Sequence, residues 1–446
     1  MVQRLADRSP SGMLNAVPSK NRMTLVDCVG LGINGIIGTG IFLLPAKVFR
    51  NAAGLSWAAW LAIGGVCLLV GLCFCEAAGR ADRNGGPYLY ARDAFGRWVG
   101  VGVGWMALAA NLFAYGAVAR GFGRNLSFLL PSLNRTGPQI ALAVAVIGSL
   151  AALNYRGIRP GALTSDFFSA AKLIPILLFV GVGLYFVDWH RISLAPPVGE
   201  TKLEAIKLGG FAALFACTGF EYVPVTAGET DNPRRNVPLA LFFALLGSVL
   251  LYVLVQIVFM GTHPDPGAAD KPLAEAAVAF AGPWAGRFVA VGSVISSFGY
   301  LTAVALVTPR YLSSLGENGE FPAVFARVSS RHGTPSVAIL VTALACAGLA
   351  AFADFDRLSD LNNAAVFAQY VPTCLAVVVL RRTRGPSALT LPLGATIPVL
   401  ATAGCLLFLN GIKRDDVIFS IGTLAVGLAL HAAFRAFGRR HVLGTE

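Results

Sequence analysis

Twelve stretches of about 20 or more mostly apolar residues occupy nearly the whole chain, near 24–50, 54–79, 97–119, 138–155, 161–187, 205–227, 237–261, 285–309, 335–353, 358–380, 391–409 and 416–436. About 20 such residues, at 1.5 Å each, cross a hydrocarbon core about 30 Å thick. Lipid offers backbone N–H and C=O groups no partner, so these stretches are expected to be helices. Strands of a membrane barrel would alternate apolar and polar residues over about 10 positions, and these stretches do not. Of 446 residues, 56% are apolar and 13% charged, against roughly 25% charged in a soluble domain. These figures exclude an ordinary soluble enzyme, a disordered chain and a secreted disulfide scaffold. An all-α, multi-pass membrane protein is what remains.

The polar connections set its orientation. With the N-terminus inside, inside segments carry 21 Lys and Arg and outside segments 13, with Lys172 within a span. That bias places both termini in the cytoplasm, against the placement of Arg120, Arg124 and Arg135. Residues 1–23 then read as a cytoplasmic tail and not a signal peptide, and 437–446 as a second tail. The net charge of +12 reflects topology and attraction to anionic headgroups. No basic stripe accompanies a soluble fold, so no nucleic-acid partner is expected. The connections are too short for a separate soluble domain, and no obligate protein partner is evident.

The eight cysteines form no CxxC pair. Cys73 and Cys75 point to different sides of a helix, so small packing residues are the better reading than zinc or disulfide ligands. The five histidines form no cluster, and neither a metal nor a cofactor is expected. Asp415 and Asp416 are adjacent and do not face each other on a helix, so they read as solvated.

Glycine is more informative. Gly30, Gly32, Gly35, Gly38 and Gly40 fall within eleven residues at the middle of the first span, where each costs about 1 kcal/mol of helix stability relative to Ala. Gly30, Gly32 and Gly35 suit close helix packing. Gly38-Thr39-Gly40 does not, because its glycines are two apart, and it reads as an unwound segment lining a cavity. The sixth span has a matching irregularity at Phe215-Ala216-Cys217-Thr218-Gly219-Phe220-Glu221. Thr39 and Thr218, Gly40 and Gly219, and Pro45 and Pro224 are each 179 residues apart. Two broken helices at corresponding places in two halves point to an inverted-repeat transporter with its site at the midplane. Freed N–H groups at the second half of span 1 suit a carboxylate. Freed carbonyls at the ends of the first halves suit an ammonium. An α-amino acid offers both.

The run Gly35-Ile36-Ile37-Gly38-Thr39-Gly40-Ile41-Phe42-Leu43-Leu44-Pro45 resembles the amino acid–polyamine–organocation (APC) transporter family. So do Thr218-Gly219-Phe220-Glu221 through Ala227-Gly228-Glu229, and Asn232-Pro233-Arg234-Arg235-Asn236-Val237-Pro238. Gly85-Gly86-Pro87-Tyr88 through Gly96, and Gly316-Glu317-Asn318-Gly319-Glu320-Phe321-Pro322 with Gly333-Thr334-Pro335, are similar to it too. These motifs lie in order and frame most of the chain.

The resemblance implies twelve transmembrane helices in a LeuT-like 5+5 inverted repeat. The first repeat would cover 24–187, the second 205–380 and two added helices 391–436. It implies that the backbone of Gly38, Thr39, Gly40 and Ile41 receives the substrate carboxylate. Carbonyls near Ile36, Phe215, Ala216 and Thr218, beside Gly219, would take the amino group. Phe215 would cover the substrate as a gate, with Tyr300 as a second gate. Asn111 and Asn362 are candidates for side-chain specificity. Their neutrality leans toward a neutral amino acid.

Lys172 lies about 16 Å or more from either end of its span at 1.5 Å per residue, beyond the roughly 6 Å that its stem could snorkel. It needs a carbonyl, hydroxyl or acid partner, or it must be neutral. Ser296, Ser297 and a carbonyl between Gly32 and Gly35 are candidate partners. Proton-coupled members of the family carry a lysine in this span, whose ammonium takes the place of a sodium ion. The resemblance therefore implies that Lys172 couples protons or substitutes for sodium; the plainer alternative is a permanently charged strut. Glu221 reads as a tether of broken span 6 rather than as a substrate ligand. Asp27, Lys47, Glu76 and Asp166 read as interfacial.

The expected function is secondary active transport of amino acids across the plasma membrane, sodium-independent, with protons and membrane lipid as the other partners. An amino acid/amine exchanger of the basic amino acid and polyamine branch, with Lys172 as a fixed charge, is the alternative within transport. A membrane-embedded enzyme would need a nucleophile and base or a metal cluster, and a sensing receptor would need a signalling domain; neither is seen in the sequence.

Overall fold

The computed structural model describes residues 23–80, 86–157, 162–221, 223, 230–385, 390–391 and 393–443, without the side chains of 162–170 and 437–443. Its helices, in chain order, are α1 (Leu25–Ile36), α2 (Gly40–Leu43), α3 (Pro45–Ala52), α4 (Ser56–Ala78), α5 (Pro87–Phe95), α6 (Arg97–Leu126), α7 (Thr136–Tyr155) and α8 (Ala162–Gly183). They continue with α9 (Lys202–Cys217), α10 (Pro233–Thr262), α11 (Pro272–Ala281), α12 (Pro283–Glu317), α13 (Ser336–Phe352), α14 (Phe355–Arg384), α15 (Thr396–Leu409) and α16 (Arg414–Leu443). Among the described residues the only β pairing is an isolated bridge between Met23 and Thr230.

A helix lies in each of the twelve apolar stretches. Seven helical segments are long and apolar enough to cross a membrane, namely Pro45–Ala78, Arg97–Leu126, Thr136–Tyr155, Pro233–Thr262, Pro283–Glu317, Phe355–Arg384 and Arg414–Ala436, and shorter apolar helices accompany them. The protein is an integral membrane protein whose regular secondary structure, among the described residues, is helical apart from that bridge. Two shorter helices, α5 and α11, lie between the apolar stretches and start at Pro87 and Pro272. Proline is favoured there because its missing N–H would have no partner anyway.

Capping chemistry opens several helices. Thr24 and Asp27 form a reciprocal capping box on α1. The Thr201 hydroxyl accepts from the Glu204 N–H at the start of α9, and Asp354 accepts from the Arg357 N–H at the start of α14. Each satisfies a first-turn donor that lacks an intrahelical partner.

The core is organised around α6, whose membrane window is 89% buried, whereas that of α16 is 11% buried and presents its apolar side chains outward. Glycines allow the close crossings. A Cβ at Gly32 of α1 would lie 2.7 Å from Ala244 of α10, and one at Gly71 of α4 would lie 2.7 Å from Leu241 of α10. All eight cysteines are buried and unbridged, in keeping with the packing role expected of them.

Glu76, read as interfacial, and Asp416, read as solvated, are both buried. Glu76 is fully buried and accepts from Arg381 Nε at 2.6 Å, Arg80 Nη2 at 3.2 Å and the Leu391 N–H at 2.9 Å. Asp416 is fully buried and pairs with Arg357, while Asp415 is exposed. Tertiary packing brings arginines from distant segments onto both groups, which local spacing could not reveal. Asp166 lies among the side chains outside the description.

Candidate functional site

The first apolar stretch is not one helix. α1 stops at Ile36, Ile37 turns to extended backbone (φ −79°, ψ 96°), and helix resumes at Gly40. The unwound residues are therefore Ile37, Gly38 and Thr39, one position earlier than Gly38-Thr39-Gly40. Gly40 itself starts the second half. That half bends at Leu44, whose N–H donates to Gly40 O and whose carbonyl accepts from Val48, so α2 runs on into α3.

The sixth stretch breaks as well. α9 ends at Cys217, Thr218 is extended (φ −75°, ψ 166°), and Gly219 has φ +102°. The structure sets the two breaks against each other. A Cβ on Gly219 would collide with the carbonyl of Gly35, and one on Gly40 would lie 2.7 Å from the Ala216 Cβ. Only glycine fits at 219, for both space and backbone angle. The strap between the start of α1 and the chain before α10 adds a second tie. The Asp231 N–H donates to Met23 O at 2.9 Å, and Cys28 Sγ lies 3.4 Å from Thr230 Oγ1.

Each break leaves backbone groups without intrahelical partners, and side chains from other helices meet many of them. Lys172 of α8 is fully buried, and its Nζ donates to Asn34 O at 2.9 Å and Ile37 O at 2.8 Å. Asn34 is the kind of first-span carbonyl expected. The two serines are not its partners. Ser296 Oγ lies 3.3 Å from Gly38 O, and Ser297 Oγ donates to Ser293 O at 2.7 Å and accepts from Thr39 Oγ1 at 2.8 Å. Ser296 Oγ also lies 3.5 Å from Ile37 O, the carbonyl that Lys172 binds, so α12 and the lysine meet at one acceptor of the break.

Thr218 Oγ1 donates to Phe215 O at 2.8 Å. Glu221 accepts from the Gly219 N–H at 2.6 Å and from the Tyr370 hydroxyl of α14. The Phe215 ring stands edge-on to Phe355 at 5.6 Å. Tyr300 packs over Gly38, where a Cβ would lie 3.1 Å from its ring. Asn111 of α6 donates to Ala107 O at 2.9 Å within its own helix. Asn362 of α14 is 2% exposed, with its Nδ2 unpartnered among the described residues.

Two charged latches flank this region. On the side where α3 ends, Lys47 Nζ lies 2.7 Å from Asp360 Oδ1, and Arg124 bridges Asp356 at 3.0 Å and Asp270 at 2.8 Å. Lys47, read as interfacial, is 13% exposed and bound across to α14. Desolvation alone would raise the Asp270 carboxyl, but Arg124 and Lys271 outweigh it and hold it below its ordinary value. On the other side, Glu320 accepts from the Tyr88 hydroxyl at 2.7 Å and from Arg97 Nε at 2.7 Å.

Tyr252 and Gln256 of α10 are functional candidates that the sequence reading passed over. The Tyr252 hydroxyl lies 3.2 Å from Ile36 O and 3.0 Å from Ala216 O, and Gln256 Nε2 lies 3.3 Å from Pro45 O. A signal was present: Ser248, Tyr252 and Gln256 recur every four residues in an otherwise apolar run, which places three polar groups on one helix face.

The site thus offers a half-helix N-terminus, two half-helix carbonyl ends, one buried ammonium and aromatic walls. Among the described residues no group of three or more His, Cys, Asp or Glu could hold a metal. A family model described as amino acid permease matches residues 23–427. The chain is 25% identical to the methylthioribose transporter of Bacillus subtilis (strain 168), over 99% of this chain and 97% of that one. It is 24% identical to the branched-chain amino acid permease BcaP of the same organism, over 95% and 94%. It is 26% identical to the vacuolar cationic amino acid transporter 2 of Arabidopsis thaliana, over 85% of this chain but only 63% of that longer one.

Proposed function

Because the chain belongs to the amino acid permease family over residues 23–427, we propose that it is a secondary transporter moving amino acids across the plasma membrane by alternating access. Its relatives are transporters and not enzymes. In this reading twelve helices form a LeuT-like pair of inverted five-helix repeats plus two, with both termini cytoplasmic, and the site lies between the broken helices.

The observation that carries the proposal is the apposition of the two breaks, Gly35 against Gly219 and Gly40 against Ala216. The first-turn N–H groups of the α2–α3 half-helix lie at the positive end of its dipole and suit a carboxylate. Carbonyls at the ends of α1 and α9 suit an ammonium, each having two lone pairs to offer. Phe215, edge-on to Phe355, closes the site on the Lys47–Asp360 side, and Tyr300 forms its floor over Gly38. Asn111 and Asn362 are placed to read the substrate side chain from α6 and α14.

Lys172 is the coupling residue in this proposal. Its bonds to Asn34 O and Ile37 O put a cation where it holds the break without a sodium ion. Release of its proton during the cycle would loosen the end of α1. In the second reading, exchange within the basic amino acid and polyamine branch, the lysine stays charged and acts as a strut; a cationic amino acid transporter among the relatives bears on that substrate class.

Uptake of radiolabelled amino acids into proteoliposomes tests the proposal. Sodium-independent accumulation driven by an imposed pH gradient is expected for at least one amino acid. A requirement for internal substrate would select exchange. No accumulation or exchange with the twenty amino acids, agmatine or polyamines would overturn the reading. Uptake of methylthioribose alone would move the chain to the substrate class named for its Bacillus relative.

A further inference from the structure

One face of α10 runs behind both breaks. Tyr252 and Gln256 are fully buried and one turn apart on that face. The Tyr252 hydroxyl reaches Ile36 O, the end of α1, at 3.2 Å and Ala216 O, in the last turn of α9, at 3.0 Å. Gln256 Nε2 reaches Pro45 O, the first residue of α3, at 3.3 Å and Ser56 Oγ at 3.0 Å, while its Oε1 accepts from Trp60 Nε1 at 3.0 Å. The Trp60 ring packs 5.1 Å from the Tyr252 ring and fixes its direction. A single helix face therefore holds the end of α1, the bend between α2 and α3 at Pro45, and the last turn of α9.

A hydroxyl has one proton to donate. Ile36 and Ala216 share that proton, so two carbonyl oxygens from halves of the chain 180 residues apart converge on one oxygen atom. Lys172 does not do this work, since it binds Asn34 O and Ile37 O instead of Ile36 O and Ala216 O.

We infer that Tyr252 is a positioning residue for the substrate ammonium. Its hydroxyl sets the spacing of the Ile36 and Ala216 carbonyls, and Gln256 keeps the second half of helix 1 in register with them. Each carbonyl keeps a second lone pair for the ammonium, which needs acceptors converging at about 2.7–3.2 Å. Without the hydroxyl the two oxygens lose the donor they share among the described residues, and an ammonium meets them less well converged. The inference rests on the amino acid reading of the site.

The test compares wild type with Tyr252→Phe, which keeps the ring and its contact with Trp60. The competitors of uptake are the transported amino acid and the 2-hydroxy acid of the same side chain, which has the carboxylate and no ammonium. Wild-type uptake is measured first, and failure there sinks the amino acid reading itself. The expected result is a KM raised about tenfold with Vmax changed less than about threefold, in the range of one lost positioning hydrogen bond. The preference for amino acid over hydroxy acid should shrink by a similar factor. Ser248→Ala, on the same face and one turn away, should change neither. A preference equal to that of wild type, or parallel loss of both competitors, would overturn the positioning role. Tyr252→Met is read the same way if the Phe variant does not accumulate.

Discussion

At the scale of single residues, Gly219 and Lys172 show how differently two conspicuous positions can be determined. Gly219 combines φ +102° with a carbonyl where a Cβ would stand. Gly219→Ala is expected to cost about 1–3 kcal/mol of backbone strain and to reduce uptake by about tenfold or more, read in proteoliposomes at matched protein incorporation. Lys172→Met removes the ammonium from Asn34 O and Ile37 O and should lower stability by about 1–3 kcal/mol, the range for hydrogen bonds to a charged group. It should also abolish uptake driven by a pH gradient; full proton coupling in that variant would remove Lys172 from the mechanism. The sequence marked both residues, because a lone lysine far from either span end and a glycine in a matched break are local anomalies. Tyr252 was no such anomaly, since tyrosine in an apolar helix is common and its two acceptors come from elsewhere in the chain.

At the scale of elements, the broken helices were legible because glycine spacing weakens helicity wherever it occurs. The boundary fell one residue away, since Gly40 can begin a helix as readily as it can end a loop. Glu76 marks the limit of this reasoning. Near the end of α4 it looks interfacial, yet Arg381 of α14 and Arg80 hold it fully buried. Removing one partner of a buried ion pair strands the other, so Glu76→Ala should destabilise the protein by about 3–5 kcal/mol, measured by denaturant unfolding in detergent. Arg381→Ala should do likewise, and the double variant should cost less than the two singles added.

For the whole molecule, latches on both flanks of the breaks tie helices from distant parts of the chain. Lys47 of α3 and Asp360 of α14 are 13% and 8% exposed. Lys47→Asp or Asp360→Lys alone is expected to lower uptake by about tenfold or more, and the swapped pair to recover part of it; no recovery would mean that the contact is incidental. The Asp270 arm of the same latch has a pH sign. Its carboxyl is held below its ordinary value, so the contribution is present above the unfolded value of about 3.9. It fades as pH falls through the folded value. Stability of the Asp270→Asn variant should therefore differ from wild type at pH 7 and converge with it in acid. Over half of that side chain is exposed, so solvent screening keeps the difference small.

The sequence by itself determined the class, the helices and the approximate place of the site. Lipid leaves apolar stretches one backbone solution, and a glycine cluster or a charge within them stands out against that background. Tertiary structure alone decided which groups complete the site. The donors that meet the freed carbonyls of helix 1 come from α8, α10 and α12, between about 135 and 260 residues away in sequence. No local periodicity records such a pairing, because each partner is chosen by where a folded helix carries its side chain.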